Sequence, residues 1–325
     1  MTGSDRADLS LPVRRPNPLH PGDPVAVVAP ASPPRDPSRY AVGLERLRDV
    51  YDVRTAYAPD ATHGYLAASD AARAAALNGA IADPEIRGIV CVRGGYGSMR
   101  LLNRIDWGAA RQHPTLLVGY SDVTALHLAF HQHAGWTSLS GPVVTEWPVP
   151  EAAATLDALQ DIATGACPDL SLMGGERLRP LVTGTATGRL LGGNLAVLTR
   201  LVGTPHLPSF EGAILVLEEV GEAPYRVDRM LTHLDLAGHL DRLAGAVLGR
   251  FTTGDTVRTP TLSLNQVFAD VFAHRPYPVV TDLAYGHCLP RHVVPWGVRA
   301  ELSVTEDAAS LQVLEPAVAA PSGGA

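Results

Sequence analysis

The stretch Thr115-Leu-Leu-Val-Gly-Tyr-Ser-Asp122 sets a short apolar run against a Gly-Tyr-Ser-Asp turn, and the helical pattern Val123 to His133 follows at once. A short apolar run bounded by turn residues reads as a fully buried strand, so this segment reads as strand, tight turn, helix. The same grammar occurs upstream. Pro24-Val-Ala-Val-Val-Ala-Pro30 is a buried strand, followed by a helix with Val42, Leu44, Leu47 and Val50 at near-helical spacing. The Ala-rich stretch Asp70 to Ala82 is a second helix, closed by Asp83-Pro84. Gly88-Ile-Val-Cys-Val92 is another buried strand that runs into Arg93-Gly-Gly-Tyr-Gly97, after which Met99, Leu101 and Leu102 mark a new helix. Strands alternating with helices at this spacing give βαβ units and a mostly parallel sheet. The expected fold class is therefore α/β. Its N-terminal part is a mostly parallel sheet with flanking helices and a nucleophile elbow at Ser121, and its C-terminal part is a mixed α/β domain rich in strands.

Working outward, 325 residues exceed the usual size of one domain, so two are expected. Residues 1–22, rich in Pro and charge, read as a flexible tail. Residues 23–165 form the N-terminal domain. A stretch with little periodicity, punctuated by Gly, Pro and Thr, makes 166–184 the linker, and 185–325 the C-terminal domain. That second half holds the apolar strand Ala213 to Leu217, a helix carrying Val227, Met230, Leu231 and Leu234, strands at Ala246 to Phe251 and Pro278 to Val280, and a hairpin-like alternation from Gly297 to Leu314.

Bulk properties exclude several functions. A net charge of −7 argues against a broad nucleic-acid or anionic-membrane surface. No run of about 18 apolar residues is present to span a bilayer, and the N-terminus has no signal-peptide h-region. The expected location is the cytoplasm. Cys91, Cys167 and Cys288 are odd in number and widely spaced, forming neither a disulfide framework nor a metal site.

Ser121 sits where a buried strand gives way to a helix, the setting of a nucleophile elbow, and the following amide is placed to donate to an oxyanion. The usual G-x-S-x-G is incomplete because position 123 is Val. The competing reading is a plain helix N-cap, a role that favours Ser. The Arg93 to Gly97 turn could cradle an anion with its amides or be a tight turn alone. Glu218 and Glu219 end an apolar strand, where a carboxylate can be desolvated yet reach a pocket. They also read as a solvated acidic pair. His287, in Leu283-Ala-Tyr-Gly-His-Cys288, is either functional or an ordinary loop histidine. His127 and His131 lie four apart on a helix, half of a metal site without a third ligand. Cys91 reads as core packing, and Cys288 is adjacent to His287, where neighbours on extended backbone point apart.

Taken together, Val-Arg-Gly-Gly-Tyr-Gly-Ser-x-Arg-Leu-Leu (92–102), Gly-Tyr-Ser-Asp (119–122), Ser-Gly-Pro (140–142), Leu-Leu-Gly-Gly-Asn-Leu-Ala (190–196), the run from Leu217 to Leu231, and Gly-His (286–287) occur in one order. In that order they resemble the LD-carboxypeptidases, or muramoyltetrapeptide carboxypeptidases, from about residue 23 to residue 305. The resemblance implies a Ser-Glu-His triad of Ser121, Glu218 and His287. It implies oxyanion-hole amides at Gly95 and Asp122 and substrate contacts from Tyr96 and Asn194. It further implies a site in the cleft between domains, no cofactor and no metal, and a homodimer acting on a small muropeptide without nucleic-acid or membrane partners. The implied reaction is hydrolysis of the L,D-peptide bond that releases terminal D-alanine from murein tetrapeptides during peptidoglycan recycling. One departure is Leu191, where family members often carry an aromatic residue, and it bears on the shape of the substrate pocket. Two alternatives stay open: a microcin-immunity-type peptidase cutting a peptidyl or aminoacyl nucleotide antibiotic, and a non-catalytic muropeptide-binding protein.

Overall fold

Runs of apolar residues buried on both faces demand a covered parallel sheet, and the first half of the chain supplies one. The computed structural model describes residues 11–55, 57–254 and 261–320. Its strands are β1 (Pro24–Val28), β2 (Asp52–Thr55), β3 (Gly88–Cys91), β4 (Leu116–Gly119) and β5 (Ser138–Ser140), with helices α1 (Pro37–Arg48), α2 (Asp70–Ala82), α3 (Trp107–Gln112), α4 (Thr124–Ala134) and α5 (Ala153–Thr164). The second half contributes β6 (Leu172–Met173), β7 (Glu176–Arg177), β8 (Arg179–Val182), β9 (Gly184–Asn194), β10 (Ala213–Glu219), β11 (Gly245–Phe251), β12 (Val279–Thr281), β13 (Val294–Trp296), β14 (Arg299–Val304) and β15 (Ala309–Val313). Its helices are α6 (Leu195–Thr199), α7 (Pro224–Leu236) and α8 (Leu264–Phe272).

The first sheet has the order β13-β5-β4-β3-β1-β2, with β1 to β5 parallel and β13 antiparallel at the edge. The second has the order β15-β14-β9-β10-β11-β12-β8, with a parallel centre from β9 to β12. Every residue of β3, β4 and β10 is buried. The strand β13, although late in the chain, pairs with β5, so the C-terminal half closes an edge of the N-terminal sheet.

Four local expectations differ from the structure. On α1 the buried face is Tyr40, Gly43, Leu44 and Leu47, while Val42 is exposed, because a helical stripe passes through 40, 44 and 47 and leaves 42 on the opposite side. The helix expected after Gly97 is a 3₁₀ segment, Ser98–Arg104. Residues 11–22 are no loose tail. Leu19 is buried, the Arg14 backbone exchanges hydrogen bonds with Gly135 and Thr137, and Arg15 pairs with Glu315 at 2.7 Å. Residues 1–10 lie outside the described residues. The stretch read as a linker carries β6, β7 and β8, and β8 extends the second sheet antiparallel to β12.

Candidate active site

The carboxyl ends of β4 and β10, central strands of the two sheets, meet at one cleft, as ligand sites do in open α/β folds. After β4 the chain turns through Tyr120 into Ser121, which adopts φ +64. A non-glycine residue in that region is held there by its surroundings at a cost of order 1–3 kcal/mol. Gly94 permits the turn: a Cβ at residue 94 would stand 2.9 Å from Ser121 Cβ and 3.1 Å from Oγ. From the other side, neutral His127 on α4 holds the strand end, its Nε2–H donating to the Gly119 carbonyl while Nδ1 accepts from the Ser138 hydroxyl, both at 2.8 Å. The Ser121 side chain caps no helix, so the N-cap reading lapses.

The histidine arrives from the loop after β12. His287 Nε2 lies 3.1 Å from Ser121 Oγ, and its Nδ1–H donates to Glu218 Oε2 at 2.8 Å. Glu218 is 1% exposed at the end of β10, and its other oxygen accepts from Asn194 Nδ2 at 3.2 Å. Gly286 is required beside it. A side chain at this φ of +109 would place Cβ 2.6 Å from Glu218 Oε2. Neighbouring Glu219 points away from the histidine, accepting from the backbone amides of Ala196 (2.6 Å) and Val220 (2.9 Å) and from Asn194 Nδ2 (3.2 Å). Burial raises its pKa against those amides. The two adjacent acids thus share Asn194 but differ otherwise: only Glu218 meets the histidine, and only Glu219 is held by backbone amides.

A buried network backs the histidine. The Tyr120 ring lies 5.1 Å from that of His287, its hydroxyl donates to Glu146 Oε1 at 2.9 Å, and the Arg291 guanidinium stands 4.0 Å over its face. Arg291 grips Glu146 through both terminal nitrogens, at 3.0 and 2.6 Å, and donates to the Cys288 carbonyl at 3.3 Å. This ties the histidine loop to the serine turn. Burial pushes the phenol of Tyr120 and the thiol of Cys288 above their usual values.

The cleft has a volume of about 550 Å³ and is lined by Ser121, His287, Tyr120, Gly94 and Gly95 among others. Gly95 has φ +111 and is exposed there. Asp122 stands in the first 3₁₀ turn, where backbone N–H groups have no intrahelical partner. Its carboxylate is buried and accepts the Ser98 amide at 2.8 Å. Two expected substrate contacts lie elsewhere. Asn194 is 5% exposed, with its side chain spent on both glutamates and on the Val197 amide as the cap of α6. Tyr96 is 48% exposed and packs on Tyr65 outside the cleft lining. Leu191 lines a separate depression with Arg189 and His131, so its departure does not bear on this cleft. His131 hydrogen-bonds the Trp136 carbonyl, and among the described residues no three His, Cys, Asp or Glu side chains gather as metal ligands do. Reading residues one by one missed Tyr120, Glu146, Arg291 and Gly286, of which Tyr120 carried a signal as the variable position of the serine turn and Gly286 as the glycine of the Gly-His motif.

A serine hydroxyl against an imidazole that is itself oriented by a buried carboxylate is the arrangement that can activate a nucleophile for acyl transfer. Comparison with known proteins narrows this class of fold and site. Residues 25–141 match the LD-carboxypeptidase N-terminal domain, and residues 187–302 match the LD-carboxypeptidase C-terminal domain. A murein tetrapeptide carboxypeptidase of Pseudomonas aeruginosa is 34% identical over 259 residues, covering 75% of this chain and 81% of that protein. The crystal structure of muramoyltetrapeptide carboxypeptidase from Oxalobacter formigenes superposes with a TM-score of 0.79 at 29% identity, covering 89% of this chain and 98% of that one. An MccF-like protein from Bacillus anthracis shares the fold with a TM-score of 0.81 at 24% identity, covering 92% and 99%. The chain belongs to the LD-carboxypeptidase family and is a peptidase.

Proposed function

We propose that the chain is a serine carboxypeptidase that cuts the L,D-peptide bond of murein tetrapeptides and releases their terminal D-alanine. The observation that carries this reading is the continuous Ser121–His287–Glu218 line at the cleft, with contacts of 3.1 and 2.8 Å. Ser121 Oγ attacks the carbonyl of the L-centre of the third residue while His287 Nε2 takes its proton. Glu218 stabilises the imidazolium, and the amides of Gly95 and Asp122 receive the oxyanion, each such donor contributing roughly 2.7–4 kcal/mol. The C–N bond then breaks as His287 returns the proton to the leaving amine. Water attacks the acyl-enzyme, its proton passing through His287 to Ser121 as the ester opens. Action in the cytoplasm on recycled wall fragments, as a homodimer, belongs to the same reading and is supported by the family resemblance.

Incubation with an L,D-tetrapeptide, the D,D-ended pentapeptide and an aminoacyl nucleotide, read by mass spectrometry, tests it. D-Alanine should be released from the tetrapeptide alone. Preferential cleavage of the nucleotide conjugate would transfer the chain to the microcin-immunity reading. Failure of a fluorophosphonate to label Ser121, with no peptide cut, would leave a binding protein.

A further inference from the structure

Three arginines, Arg35, Arg39 and Arg93, line the cleft together with Ser121, in a chain whose net charge is −7. Two carboxylates line the same cleft, and both are committed elsewhere. Glu146 is held by Arg291, and Asp36 accepts the Ser38 and Arg39 amides (2.9 and 3.2 Å) at the start of α1. Among the described residues the three cleft arginines form no salt bridge; Arg93 Nη1 donates to the Pro33 carbonyl at 3.0 Å and Arg39 Nε to the Thr145 carbonyl at 2.6 Å. Arg93 is the half-buried one, and Arg35 and Arg39 are exposed at the rim. Burial, followed by the like charge of Arg35, disfavours the charged form of Arg93. A desolvated cation beside another cation is costly until an anion joins them.

The position of that anion relative to the chemistry follows from the glycine turn. A Cβ on Gly94 would lie 3.1 Å from Ser121 Oγ, and a Cβ on the next residue, Gly95, would lie 3.5 Å from Arg93 Nη2. The serine and the guanidinium therefore stand against successive residues of one turn. In a peptide whose last bond is cut, the free carboxylate likewise lies one residue beyond the scissile carbonyl. A planar guanidinium with paired donors suits a carboxylate better than any other side chain.

We propose that Arg93, with Arg35 beside it, binds the free α-carboxylate of the leaving residue and thereby confines the enzyme to the last bond of its substrate. This rests on the carboxypeptidase reading above. The test compares kcat/KM for a tetrapeptide ending in free D-alanine, the same peptide ending in D-alaninamide, and a free-acid tetrapeptide with lysine in place of diaminopimelate. The wild-type enzyme should prefer free acid to amide by at least tenfold. Arg93→Gln should lose roughly 10- to 100-fold on both free acids, the range expected when a charged hydrogen-bond partner is removed, and stay within about threefold of wild type on the amide. Arg35→Gln should show the same pattern more weakly, and it carries the test should Arg93→Gln fail to melt cooperatively or to label with a fluorophosphonate. Equal turnover of acid and amide by the wild type would overturn the proposal, as would an equal loss on both in the variants. A loss confined to the diaminopimelate peptide would overturn it too, by assigning the arginines to that side-chain carboxylate. No cleavage of any of the three peptides would instead sink the proposed function.

Discussion

At the scale of single residues, the site depends on one strained serine and two acids with different duties. Ser121 at φ +64 bears a penalty that glycine escapes and alanine does not. Ser121→Gly is therefore expected to melt about 1–2 °C higher than the wild type, a gain of about 1 kcal/mol, and Ser121→Ala to melt close to the wild type. If Ser121 is the nucleophile proposed above, both should lose around 10⁶-fold in kcat, as nucleophile deletions do in serine triads elsewhere. Calorimetry and steady-state kinetics separate the two effects, and a glycine variant melting below the wild type would show that the turn stores no strain. In the proposed mechanism Glu218 stabilises the imidazolium, so Glu218→Gln should cost about 10⁴-fold in kcat with the fold intact. Glu219→Gln turns an acceptor of three N–H groups into a partial donor, so its loss should be in stability, about 1–3 kcal/mol. Turnover per folded molecule should stay within tenfold. Urea titration alongside kinetics checks both, and a matching loss of turnover in the two variants would dissolve the division of roles.

At the scale of elements, the strands buried on both faces were legible because continuous apolar runs between turns have few other readings. Asp70 to Ala82 was read to the residue, since Ser69 caps it and Asp83-Pro84 stops it. What escaped was structure without a period. Val294-Pro-Trp296 is too short to show alternation, and its partner β5 lies far back in the chain. The 3₁₀ turn after Gly97 uses the same apolar residues as an α-helix would. Within the site, Ser121 stood out locally, but Glu218 and His287 took on meaning only from the ordered motifs, because each alone reads as an ordinary surface residue. Asn194 was assigned to substrate because sequence cannot show that its amide is already consumed by two glutamates. The loop bearing His287 offers a prediction at this scale. Gly286→Ala would drive Cβ into Glu218 and should lower kcat at least 100-fold along with stability. Gly238→Ala is the control, because that glycine has φ +78 just after α7 and meets only Asp241 Oδ2, at 3.7 Å. It should cost about 1 kcal/mol and leave turnover unchanged. Equal losses of activity at both glycines would mean that global loosening, and not the Glu218 contact, governs the effect.

At the scale of the whole molecule, the two sheets are joined by more than a cleft. A strand from the C-terminal half completes the first sheet, and one continuous core runs from Ala26 and Val28 through Leu215 and Leu217 to Val279. Loosening either side should therefore unfold both, and buried histidines in that shared structure make the unfolding sensitive to acid. His127, behind the serine turn, and His292, in the segment between His287 and β13, are each depressed to about 4, burial being the main cause. Both values lie below the 6.5 of a free imidazole, so the folded protein binds fewer protons than the unfolded chain between about pH 6.5 and 4. Above that pH the two states match and nothing is lost. Between 6.5 and 4 stability falls, by about 3 kcal/mol for each histidine over the full span, and below 4 their contribution levels off. Asp70, held to about 2 chiefly by Arg100, extends the loss from 3.8 downward. Glu219 and Asp122, whose pKa values are raised mainly by burial, act in the opposite sense and blunt the net decline. A single variant isolates one histidine. His127→Gln can keep the donor to the Gly119 carbonyl but takes up no proton. Its urea-unfolding free energy should start lower than that of the wild type at pH 7.5 and then decline less between pH 7 and 4.5, by about 2 kcal/mol. Parallel declines in the two proteins would mean that His127 protonates in the folded state as readily as in the unfolded one, and that the strand end behind Ser121 is open to water.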